Sequence, residues 1–183
     1  EALSYSDALY LLNERGKAMQ AAVPIDKGNM IAVLGLKIEE VEDCIKDINK
    51  KKGACEIAND NANGQVIISG DSESINLLQV ILKEKKIKSI PLKVSAPFHC
   101  SLMKPAADSM KEKINITEFK KPLFKIVNNV TAKAEEENNN IKSLLIDQIS
   151  STVKWRESLI YMSNAGVNNF IEIGPGKALT GMA

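Results

Sequence analysis

One histidine, one tryptophan and only 4% aromatic residues are found among the 183 positions. Lysine and arginine number 24 against 23 aspartates and glutamates, a net charge of +1. A nucleic-acid surface draws on a basic patch with stacking rings, so both shortages argue against one. No apolar run approaches the length of a bilayer span, and the opening "EALSYSDALY" has neither a basic leader nor a signal-type apolar core. It also lacks an initiator methionine, which leads us to expect a processed or truncated chain. The three cysteines, Cys44, Cys55 and Cys100, are odd in number, far apart and without a C-x-x-C pair. They fit free thiols in a reducing cytoplasm and argue against a zinc site. A lone histidine without a second histidine or a close carboxylate pair likewise gives no metal ligand set.

Hydrophobic residues at 44% and charged residues at 26% are ordinary for a soluble globular chain able to bury a core. "SYSDALYLLNERGKAMQAA" reads as an amphipathic helix capped by Ser4 or Ser6, with Ala8, Leu11, Leu12 and Met19 as its apolar stripe. From Asn29 the period changes. "NMIAVLGL" is a strand, "KIEEVEDCIKDINKKK" a helix, "ACEIAN" a strand, "DNANG" a turn and "QVIISG" a strand. "DSESINLLQVILKEKK" is a capped helix, and "IPLKVSA" alternates Ile90, Leu92 and Val94 as a half-buried strand. The order β-α-β-β-α-β is the ferredoxin-like, split-βαβ pattern, here an inserted small subdomain over residues 28–95. Residues 1–27 and 96–183 form the α/β large subdomain into which it is set. In it, "LMKPAADSMKEKI" is a helix, "LFKIVNNVTA" a strand and "EEENNN" a solvated loop. "IKSLLIDQI" and "VKWRESLIYMSNAG" are helical, and "NFIEIG" is a final strand before a Gly-Pro-Gly turn. Alternating elements outside the insertion imply an open α/β sheet.

His99, in "SAPFHCSLMKPA", follows a strand and precedes a helix. It is either a buried imidazole satisfied by a backbone carbonyl or a general base at a strand exit, where α/β folds gather their sites. Cys100 and Ser101 are poor partners for it, because adjacent helical positions do not face one another. A G-x-S-x-G elbow is also absent from the chain. Arg15 falls on the apolar stripe of the first helix. A guanidinium there needs an anion, which is either a neighbouring carboxylate such as Asp7 or Glu14, or the carboxylate of a substrate. Gly64 reads as turn chemistry. The Gly-Pro-Gly of "IEIGPGKALTG" is either a plain turn or a source of N–H groups for an anion.

Taken together, "ERGKAMQAAVP", "NDNANGQVIISGD", "SAPFHCSLMKPAAD", "IVNNVTA", "DQISSTVKWRESLIYM" and "EIGPGKALTG" resemble the malonyl-CoA:acyl-carrier-protein transacylase family in order and spacing. The resemblance implies an α/β-hydrolase-like large subdomain carrying the ferredoxin-like one. It implies malonyl transfer from malonyl-CoA through a malonyl-serine ester to the phosphopantetheine thiol of acyl carrier protein. His99 matches the histidine that activates the serine, and Gln148 the glutamine whose main-chain carbonyl steadies it. Arg15 matches the arginine that grips the malonyl carboxylate. Phe98 matches a residue of malonyl-selective members, while Asn59, Asn61 and Gln65 match polar positions near the cleft. No resident cofactor and no metal are implied. The partners are malonyl-CoA and acyl carrier protein, the complete protein is expected to be a monomer, and the location is the cytoplasm or, in a eukaryote, an organelle.

The family's Gly-His-Ser-Leu-Gly elbow is not among these residues. The nucleophile is therefore expected outside the chain, leaving the chain inactive by itself, with strands unpaired and an apolar face exposed. Two alternatives are an acyltransferase domain excised from a polyketide or fatty-acid synthase, and an inactive carrier-protein-binding fragment.

Overall fold

A computed structural model describes residues 2–49 and 53–183. The first helix, α1, spans Tyr5–Ala21, and of the two candidate caps it is Ser4 that accepts the Asp7 N–H, at 3.0 Å. Asp7 in the first turn complements the positive end of the helix. Leu11 and Met19 are buried, whereas Leu12 is 62% exposed. Neighbouring positions lie about 100° apart around a helix, so Leu11 and Leu12 cannot both face the same layer.

Six elements follow: β1 (Gly28–Leu34), α2 (Ile38–Asn49), β2 (Cys55–Ala62), β3 (Gln65–Asp71), α3 (Ser72–Glu84) and β4 (Lys88–Pro91). They build one antiparallel sheet in the order β2-β3-β1-β4. The expected extension of α2 over Lys50–Lys52 lies outside the described residues. Burial on both faces explains the unbroken apolar runs of the two central strands. Ile31, Val33, Val66 and Ile68 meet Val41, Ile45, Ile48, Leu78 and Leu82 of the two helices. On the opposite face Met30, Ala32, Ala58 and Ile67 pack with Leu92 and Phe98. Each fully buried aliphatic side chain here is worth about 2 kcal/mol.

A second core joins α1 to α4 (Lys104–Ile116) and α5 (Asn138–Asp147) through Leu11, Met19, Met103, Met110, Ile114, Ile141 and Ile149. A single turn of tighter helix, Ser101–Met103, leads into α4, and α6 covers Trp155–Asn164. Among the described residues no helix is long and apolar enough to cross a membrane.

Several sequence expectations are corrected. The "DNANG" turn narrows to Asn63–Gly64, because Asp60–Ala62 continue β2, and Gly64 takes a positive φ of 84° at the second loop position, where glycine carries no steric cost. The last sheet strand runs Lys88–Pro91 rather than through Ala96. As an edge strand paired only to β1 it leaves Ile90 exposed, and Val94, beyond its end, is exposed too, despite their alternation. Of "LFKIVNNVTA" only β5 (Ile126–Val127) is paired, with β6 (Ala134–Glu135). The "EEENNN" loop therefore begins in a strand and ends in α5. "NFIEIG" is not a strand: Ile171 is 87% and Ile173 94% exposed. A strand forms only against a hydrogen-bonding neighbour, and none of the described residues supplies one.

Candidate active site at His99

His99 sits in a turn between β4 and the helix that starts at Ser101, with φ of 58°, the left-handed region. For a residue bearing a Cβ this costs on the order of 1–3 kcal/mol and persists only where the surroundings enforce it. They do so on both sides. Before the histidine, the Pro97 ring lies against Gly28 with no room for a Cβ there, and Phe98 packs between two cores. After it, Cys100 is fully buried, its thiol on the Pro97 carbonyl at 3.2 Å.

The ring is held from a third side. Nδ1 lies 3.0 Å from the carbonyl oxygen of Gln148. That carbonyl is free because Gln148 caps the C-terminus of α5, where the last carbonyls have no partner within the helix. A carbonyl only accepts, so Nδ1 carries the proton and Nε2 keeps its lone pair, the state of a general base. Burial holds His99 below its usual pKa and the positive Arg15 adds to this, while the bond to Gln148 works the other way.

Arg15 is half-buried, and burial lowers its pKa, yet no described residue forms an ion pair with it. Its two expected carboxylate partners are engaged elsewhere. Glu14 takes Lys17 at 2.9 Å and Lys113 at 3.0 Å, and Asp7 accepts the Ser4 hydroxyl at 2.6 Å. A guanidinium stays charged whatever its surroundings, so the site keeps an uncompensated cation beside an imidazole base. It is suited to a ligand carrying a carboxylate.

The structure thus joins His99 to the Gln148 carbonyl, with Phe98 next to it in the chain, and sets Arg15 near enough for its charge to act on the imidazole. Asn59 sits on β2, bridged to Val153 a few residues beyond Gln148. Asn61 lines a separate cavity of about 530 Å³ with Lys37, Arg156 and Leu159, which contains neither His99 nor Arg15. Gln65 opens β3 opposite Leu34 and Ala62 and makes no hydrogen bond to His99 or Arg15. No described group of three or more histidine, cysteine or acidic side chains could hold a metal.

Two features escaped the sequence reading. Asp60, taken for a turn residue, is 1% exposed and ion-paired with Arg156 at 2.7 Å. The signal was its place two positions after Ala58 on the inward face of β2, where a carboxylate demands a cation. Glu56, also on β2, accepts the Ser101 N–H at 3.1 Å and the Ser101 hydroxyl. No local pattern pointed to that contact.

No family model matches the chain. A malonyl CoA-acyl carrier protein transacylase of Bacillus subtilis (strain 168) is 40% identical over 182 residues, 99% of this chain and 57% of its own length. The crystal structure of FabD from Acinetobacter baumannii superposes with a TM-score of 0.95 at 35% identity, covering 99% of this chain and 58% of that one. A complex of a type II PKS acyl-carrier protein with its malonyl-transacylase matches with a TM-score of 0.95 at 36% identity, covering 99% and 59%. Along its whole length, therefore, the chain is homologous to malonyl CoA-acyl carrier protein transacylases, and it spans less than two thirds of the length of those it matches.

Proposed function

We propose that this chain is the base-bearing and acyl-carboxylate-binding part of an enzyme that moves a malonyl group from malonyl-CoA to the phosphopantetheine thiol of acyl carrier protein. The observation that carries this reading is the unpaired Arg15 beside a histidine whose Nδ1 is tied to the Gln148 carbonyl. Homologues named for this transfer, and a solved complex of one transacylase with its acyl-carrier protein, support it.

The chemistry proceeds in two balanced halves. A serine hydroxyl, supplied from outside these 183 residues, attacks the thioester carbonyl while Nε2 of His99 takes its proton. The C–S bond breaks, and the imidazolium returns that proton to the departing CoA thiolate. In the second half His99 takes the proton of the incoming pantetheine thiol, whose sulfur attacks the malonyl ester, and the proton returns to the serine oxygen. Arg15 holds the malonyl carboxylate through both halves with two parallel hydrogen bonds. CoA is substrate and the pantetheine arm belongs to the partner, so no resident cofactor takes part.

Phe98 borders the acyl group in this reading and Asn59 and Gln65 lie toward the thioester arm, while Asn61 faces the separate cavity beside Arg156. Residues 28–95 form a ferredoxin-like subdomain set into an α/β-hydrolase-like one made of residues 1–27 and 96–183. The apolar side chains exposed at Leu123, Phe124, Ile171 and Ile173 are, in this reading, covered by the rest of the large subdomain. The complete protein works as a monomer in the cytoplasm.

Transfer of radiolabelled malonyl from malonyl-CoA to holo acyl carrier protein tests the reading. The full-length protein should catalyse it, and His99→Ala should slow both half-reactions. Full-length protein that binds the carrier but transfers nothing would identify a binding remnant instead.

A further inference from the structure

The left-handed turn at His99 needs a lock on its C-terminal side, and the lock comes from a distant strand. Ser101 lies two residues after the histidine and opens the helical segment, so its N–H has no partner within the helix. The Glu56 carboxylate, 45 positions away, accepts both this N–H, at 3.1 Å, and the Ser101 hydroxyl. It is a helix cap provided from another element, with the negative charge favoured at that end. The same strand fixes the partner of the ring. Just beyond Gln148, the Thr152 hydroxyl donates to the Ile57 carbonyl at 2.6 Å and the Val153 N–H to the Ala58 carbonyl at 2.8 Å. The Asp60 N–H in turn donates to the Val153 carbonyl at 2.9 Å. Residues 56–60 of β2 therefore grip both the turn that carries the imidazole and the loop that follows its carbonyl partner.

We propose that Glu56 is a positioning residue for His99, holding through Ser101 the turn that presents the imidazole to the Gln148 carbonyl. It touches no reacting atom. The consequence for malonyl transfer rests on the proposed function; the consequence for the ring does not.

The test uses the full-length protein with ring-¹⁵N-labelled histidine, in which the His99 signals report both tautomer and titration. Glu56→Ala should lose the Nδ1–H tautomer as the dominant neutral form and raise the His99 pKa toward its usual value as the ring becomes hydrated. Merely removing a nearby negative charge would lower that pKa and leave the tautomer unchanged, so tautomer and sign together separate loss of position from loss of charge. Glu56→Gln keeps an acceptor for the Ser101 N–H and should restore most of the wild-type tautomer. The transfer assay should show kcat falling roughly 10- to 100-fold in Glu56→Ala, with KM for malonyl-CoA changed less than threefold. A Glu56→Ala protein that is folded by circular dichroism and has unaltered His99 signals overturns the inference. Altered signals with undiminished transfer would uphold the positioning and overturn His99 as the base.

Discussion

The His99 imidazole and the Gln148 carbonyl oxygen lie 3.0 Å apart although 49 positions separate them in the chain. An imidazole oriented by a carbonyl has no anionic neighbour to stabilise its cation, unlike one oriented by a carboxylate. The neutral form is thereby favoured in the resting protein.

The first prediction concerns pH. Burial holds His99 below its usual 6.5, and Arg15 pushes in the same direction. The acid limb of kcat/KM for malonyl transfer should therefore have its midpoint below 6.5, and Arg15→Ala should move that midpoint upward. Stability follows the same sign. Below pH 6.5 the unfolded chain takes up a proton at this histidine more readily than the folded one. The His99 contribution is complete above that pH and is lost as the pH falls through the folded-state value. In urea melts between pH 5 and 8 wild-type stability should fall as the pH drops below 6.5, and His99→Gln should lack that part of the decline.

The proposed function assigns acyl selectivity to Arg15. It is a half-buried cation without an ion pair among the described residues, so it gains most from a ligand that brings a carboxylate and nothing from an acetyl group. Two charge-assisted hydrogen bonds lost together correspond to about 3–6 kcal/mol, or roughly 10²–10⁴ in kcat/KM. Arg15→Ala should lose about that much with malonyl-CoA while acetyl-CoA turnover stays level or rises. Arg15→Lys, a point charge without the planar fork, should recover only part. Unchanged malonyl preference in Arg15→Ala would remove this role.

Where local pattern and chain neighbours decide the structure, the sequence was legible. A serine cap on α1, the helices α2 and α3 and the β-α-β-β-α-β order each follow from periodicity and capping chemistry. Pairing was less visible, because a strand needs a neighbour that periodicity does not name. Ile90, Leu92 and Val94 alternate properly yet lie at or beyond a sheet edge, and "NFIEIG" has the composition of a strand without a partner. At the site, His99 and Arg15 stood out as a lone imidazole and a misplaced charge. The Gln148 contact came only from the family resemblance, since any residue at that helix end offers the same carbonyl. Glu56 and Asp60 act across 45 and 96 positions, and no spacing rule reaches so far.

Cys55 offers an alkaline test. Burial pushes its thiol from 9.0 up to about 12, with Asp71 and Glu56 adding their negative charge. In the unfolded chain it ionises near 9.0, so the folded state keeps a proton that the unfolded state gives up. This contribution is complete below that pH and is lost as the pH rises through 12. Stability should fall by about 1.4 kcal/mol per pH unit from this group alone between the two values. Guanidinium melts at pH 8, 9.5 and 10.5 check it: Cys55→Ala should flatten the decline, and a decline of equal slope in the variant would assign it to other groups.

The Asp60–Arg156 pair ties β2 to α6, and its energetics have a definite sign. Asp60 is 1% exposed and receives Arg156 Nε at 3.1 and 2.9 Å and Nη2 at 2.7 Å, a fork on a buried carboxylate. A third of the arginine side chain remains exposed, so desolvation falls chiefly on the aspartate. Removing the cation strands that charge, and Arg156→Met should cost about 3 kcal/mol in urea melts at pH 7. Adding Asp60→Asn to Arg156→Met removes the stranded charge and should return part of the loss, making the double variant more stable than the single. Equal stability of the two variants would mean that Asp60 rehydrates once Arg156 is gone, and that the pair does not hold β2 against α6.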